Sequence, residues 1–114
     1  MLEVKEIDLS VTKGWIVGAF DGVPIKNNSF EVAIKEGKKG DFDKMHFHRN
    51  VDEYVYTISG TQEVTEYVSQ DKTIVKPGTL VKINAGIPVQ WRWVTDGMSL
   101  IIKIPNITGD KVEI

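Results

Sequence analysis

The chain is cut from end to end into short apolar or alternating runs by turn residues, and no stretch sustains the periodicity of an amphipathic helix. The runs Trp15 to Phe20, Phe30 to Ile34, Lys44 to His48, Tyr54 to Ile58, Thr61 to Val68, Lys72 to Val75, Thr79 to Ile83, Val89 to Val94 and Met98 to Ile104 are rich in β-branched and aromatic residues. Between them stand Asp21-Gly22, the loop Lys26-Asn27-Asn28, Gly37 and Gly40, Ser69-Gln70-Asp71, Pro77-Gly78, Asn84 to Pro88 and Thr95-Asp96-Gly97. Pro77-Gly78 supplies what the two central positions of a type II turn require. Ser59-Gly60 predicts a hairpin between the runs on either side of it. About nine or ten short strands at regular spacing predict an all-β barrel or sandwich.

At 114 residues, with no linker, repeat or low-complexity tract, the chain reads as a single domain over residues 1–114. A net charge of −2, with lysines scattered singly or in pairs, leaves no basic footprint for nucleic acid. No apolar run is long enough to cross a bilayer. The absence of cysteine removes disulfides, thiolate metal sites and a cysteine nucleophile from consideration. The N-terminus alternates aliphatic residues (Leu2, Val4, Ile7, Leu9) with charges and lacks a signal-peptide core, which points to a cytoplasmic setting. The same alternation suits an arm or strand half-covered by something else.

Both histidines of the chain, His46 and His48, lie two residues apart in one run. On a strand such residues point to one face, so the two imidazoles can serve one site. Glu53 opens the next run after the polar turn Arg49-Asn50-Val51-Asp52, and its carboxylate could complete a metal site of two nitrogens and one oxygen. Further on, the alternation Val89, Trp91, Trp93 puts three apolar side chains on one face and Gln90 and Arg92 on the other. If the first set faces inward, it gives a pocket apolar and aromatic walls beside the polar cluster. Arg49 adjoins the cluster and could hold an anionic substrate, although a solvated turn residue is the simpler reading.

The frame Gly40-x5-His46-x-His48-x4-Glu53-x6-Gly60 resembles the first motif of the cupin superfamily at all its marked positions. The family's second motif would fall at Gly78-x5-Asn84-x-Gly86-x2-Val89-x3-Trp93, where both glycines match but Asn84, Val89 and Trp93 replace the family's proline, histidine and asparagine. The resemblance implies a small cupin-like double-stranded β-helix, or jelly-roll barrel. It also implies a divalent metal (Fe, Mn, Ni or Zn) held by His46, His48 and Glu53, with no fourth protein ligand because Val89 cannot coordinate. The function it implies is metal-dependent oxidation, isomerisation or decarboxylation of a small oxygenated substrate. The alternatives are a metal-free sugar epimerase or ketoisomerase with His46 or His48 as general base, and a non-catalytic ligand-binding module using Trp91 and Trp93. Apolar residues on both faces of several strands, together with the N-terminal arm, predict a homodimer.

Overall fold

The computed structural model describes residues 1–114. Eleven strands and one short helical turn make up two facing sheets. In chain order these are α1 (Leu9–Thr12), β1 (Trp15–Gly18), β2 (Ile25–Lys26), β3 (Glu31–Gly37), β4 (His46–His48), β5 (Asp52–Ser59), β6 (Gln62–Glu66), β7 (Lys72–Val75), β8 (Leu80–Ile83), β9 (Val89–Trp93), β10 (Gly97–Ile104) and β11 (Lys111–Glu113). One sheet runs β2-β1-β3-β10-β5-β8 and the other β11-β4-β9-β6-β7. This is the all-β double-stranded β-helix that the turn spacing and the motif led one to expect.

The hairpin expected across Ser59-Gly60 does not form. β5 pairs with β10 and β8 in the first sheet, whereas β6 pairs with β7 and β9 in the second. The chain changes sheets at Gly60, whose φ of +73° an L side chain resists. A Cβ there would also strike the Asp96 carbonyl. Two strands were not foreseen. β2 takes part of the run assigned to a loop, and β11 follows the last expected strand and pairs with β4. Residues 1–8 form no strand, and Leu2 and Val4 are exposed.

Pairing register shows which side chains share the interior. Across β3, β10 and β5, Ala33 meets Ile101 and Ile101 meets Val55; Lys35 meets Ser99 and Ser99 meets Thr57; Lys103 meets Glu53. Directly opposite residues lie on one face of a sheet. Since Ala33, Val55, Thr57, Ser99 and Glu53 are all buried, that face is the inner one. Between this face and the second sheet, Val55, Val75, Ile83, Val89 and Trp91 make a continuous apolar core with Val64, Val81 and Ile101 against it. The core fills one part of the interior. The rest is a cavity, because Lys35, Lys103, His46 and Glu53 occupy inner positions there.

Candidate functional site

The connection from β4 to β5 is held by Asp110, which precedes β11. Its buried carboxylate accepts hydrogen bonds from the Asn50 amide (2.9 Å), the Asn50 side-chain Nδ2 (3.0 Å) and the Val51 amide (3.0 Å). Burial pushes the Asp110 carboxyl up, but these donors outweigh it and hold it below its ordinary value. The Gly86 amide donates to the His48 carbonyl at 2.7 Å, and the Ala85 amide to Asp52 Oδ1 at 2.8 Å. These bonds fix the backbone from His48 to Asp52.

His46, His48 and Glu53 all turn inward and are buried. The two imidazoles meet edge to face, with centroids 5.4 Å apart and planes at 86°. Their ring nitrogens have different surroundings. His46 Nδ1 lies 2.8 Å from the Lys44 carbonyl, which can only accept, so Nδ1 carries the hydrogen and in the neutral ring Nε2 bears the free lone pair. Asp43 Oδ2 lies 3.5 Å from the same Nδ1. Asp43 is itself anchored, accepting the Trp91 amide on Oδ1 at 2.7 Å. Burial raises the Asp43 carboxyl above its usual value, with the Trp91 amide and His46 pulling it partly back.

His48 Nε2 lies 3.4 Å from Glu53 Oε2, but the alignment is too poor for a hydrogen bond and the buried nitrogen is left without a partner. The same Glu53 oxygen is 3.8 Å from Lys103 Nζ. Burial pushes the Glu53 carboxyl up, yet His48 and Lys103 outweigh it and keep it below the ordinary carboxylate value.

The cavity has a volume of about 420 Å³, in the range of small-molecule sites. His46 and Glu53 line it, facing Trp91 and Trp93. His48 does not; it lines a neighbouring hollow with Trp15, Val51 and Lys103. Val89, directly opposite His46 in the β4–β9 pair, is absorbed into the apolar core and forms no part of the cavity wall. Arg49 is exposed on the turn and outside the cavity. No group of three or more histidine, aspartate or glutamate side chains is arranged to hold a metal ion. The sequence reading singled out neither Asp43 nor the inward lysines Lys35, Lys103 and Lys111. The signal for the lysines was parity: Lys35 lies two residues from Ala33, and Lys103 two from Ile101.

No family model matches the sequence. No curated protein matches it either. Solved structures do match the fold. A conserved protein with a double-stranded β-helix domain from Klebsiella pneumoniae superposes with a TM-score of 0.69 at 17% identity, over 76% of this chain and 71% of that one. A cupin-2 domain containing protein from Shewanella frigidimarina gives 0.60 at 15% identity, over 68% and 72%. A DMSP lyase from Ruegeria pomeroyi gives 0.71 at 16% identity, over 94% of this chain but only 55% of the lyase. The chain therefore has the cupin fold.

Proposed function

We propose that the protein binds a small oxygenated molecule in the barrel cavity and that His46 acts on it as an acid–base group, as in a metal-free epimerase or ketoisomerase. The observation that carries this reading is the anchoring of His46 Nδ1 by the Lys44 carbonyl, with Asp43 behind it. That anchoring leaves Nε2, which makes no hydrogen bond within the protein, as the proton acceptor on the cavity side. Nε2 would take a proton from the carbon beside a carbonyl and return it on the same face to the neighbouring carbon of the enediolate, with the adjacent hydroxyl proton passing to the former carbonyl oxygen; inversion at the first carbon would need a second acid on the opposite face. The Lys103 ammonium, in the same cavity, would stabilise the negative oxygen formed in between.

A second reading is favoured by the unpartnered, buried Nε2 of His48 beside Glu53: His46, His48 and Glu53 hold a divalent Fe, Mn, Ni or Zn ion that acts as Lewis acid on the same class of substrate. Against it, His48 lines a different hollow from His46, the Lys103 ammonium already sits beside the Glu53 carboxylate, and Val89 supplies no fourth ligand.

Metal analysis of the purified protein, with His46→Ala as control, separates the two. Far less than one metal per chain is expected, together with small-molecule stabilisation in a thermal-shift screen that needs no added metal. Compounds found in the screen should exchange hydrogen for deuterium from heavy water in a His46-dependent way. Stoichiometric metal that disappears in His46→Ala would replace the first reading by the second.

The same reading pairs two copies of this single domain. The outer face of the first sheet carries Tyr54, Tyr56, Leu80 and Leu100 across neighbouring strands, with Tyr56 40% and Leu80 61% exposed. Light scattering should give a dimer mass that Leu80→Glu converts to a monomer mass.

A further inference from the structure

Inside the sheets, three lysines take inner positions on three strands. Lys35 on β3 lies opposite the buried Ser99, Lys103 on β10 opposite the buried Glu53, and Lys111 on β11 opposite the buried His48. All three line the same cavity. Apolar residues would fill such positions at lower cost, since an ammonium taken from water needs a countercharge.

Glu36, Asp41, Asp43 and Glu53 also line the cavity, but few carboxylates lie within ion-pair distance of the lysines. Lys103 has Glu53 at 3.8 Å, and Lys111, itself half-exposed, has the half-exposed Glu113 at 3.9 Å. Lys35 has no carboxylate within ion-pair distance; its Nζ donates to the Lys13 carbonyl at 2.8 Å. Lys35 and Lys103 both stand over the Trp15 ring, 5.0 and 5.3 Å from its centroid. Burial, then the charges of Lys103, Lys111 and Lys13, hold the Lys35 amine below its usual value, so the positive groups are close enough to repel one another. Next to Lys35, Ser99 is buried and lines the cavity, and its hydroxyl makes no hydrogen bond within the protein.

From this placement we infer that the cavity's ligand is an anion, a small molecule with a carboxylate or phosphate group seated among Lys35, Lys103 and Lys111 with Trp15 beneath, its remainder lying against Trp91 and Trp93. The anion pairs with the Lys35 ammonium, which has no carboxylate within ion-pair distance, and accepts from the Ser99 hydroxyl. This rests on the cavity being the ligand site, and it narrows the substrate from any oxygenated molecule to an acid or a phosphate ester.

The test is an NMR titration of the full 15N-labelled chain at constant ionic strength, following the indole N–H of Trp15 and the backbone amides of Lys35 and Ser99. The probes are malonate, inorganic phosphate and the uncharged dimethyl malonate. A saturable shift with malonate or phosphate is expected, the stronger of the two identifying a carboxylate or a phosphoryl group, with no saturation by the ester. Lys35→Gln, which keeps a polar chain of similar reach, should weaken the anion by about tenfold, equivalent to about 1.4 kcal/mol, while its spectrum stays dispersed. Absence of saturation by both anions overturns the inference, and so does equal affinity in Lys35→Gln. Saturation by the ester alone also overturns it while leaving the cavity as a ligand site.

Discussion

Asp43 stands 3.5 Å behind the Nδ1 of His46, while its other carboxylate oxygen holds the backbone amide of Trp91 on the facing strand. One aspartate thus orients the imidazole and fixes a wall of the cavity. Asp43→Asn keeps an acceptor for the Trp91 amide but removes the charge behind His46. It should slow His46-dependent deuterium exchange by about 10- to 100-fold with little change in stability. Asp43→Ala also strands the Trp91 amide and should cost about 1–2 kcal/mol, read by urea unfolding. Equal exchange rates in wild type and Asp43→Asn would remove Asp43 from the proton-transfer machinery.

Asp110 gives a pH dependence with a definite sign. Its carboxyl is held below the ordinary carboxylate value in the folded state, so its contribution is complete above the unfolded value and is lost as pH falls through the folded one. Glu53, also lowered, acts in the same direction. Asp43, raised by burial, acts in the opposite direction and favours the folded state on protonation. Unfolding free energies measured from pH 7 to pH 3 should fall, and fall less steeply in Asp110→Asn. At pH 7, Asp110→Ala should cost about 2 kcal/mol, because the amide of the buried Val51 loses its acceptor.

Trp93 lies against Gly37, where a Cβ would overlap the indole ring. Gly97 makes room for the same ring from β10. Gly37→Ala must therefore push Trp93 into the cavity that it lines. The expected result is a loss of about 1–3 kcal/mol in thermal denaturation and weaker ligand binding, with altered tryptophan fluorescence. Unchanged fluorescence and stability would mean that the indole has room to move elsewhere.

Val75 is fully buried in the apolar core and does not itself line the cavity. Val75→Ala should cost about 2 kcal/mol from lost burial and the void left behind. Its anion titration at the Trp15 indole should remain as in the wild type. Coupled losses of stability and binding would show that core and cavity are one mechanical unit.

The sequence by itself determined most of the strands, though not β2 or β11, and which residues within one strand share a face. Alternation is a property of neighbours along the chain, so His46 with His48, and Val89 with Trp91 and Trp93, could each be grouped by parity, while the fold turned both groups inward. Only the tertiary structure decided which strand lies beside which. Ser59-Gly60 looks like a hairpin turn because the pairings that replace the hairpin, β5 with β10 and β6 with β9, are made with strands far along the chain. Distant pairing also tied Asp43, the local neighbour of His46, to the Trp91 amide and put Val89 into the core. It gathered Lys35, Lys103 and Lys111, unremarkable one by one, around a single cavity. Strand pairing is chosen by the burial of whole faces, a sum over non-local contacts that no local window of residues contains.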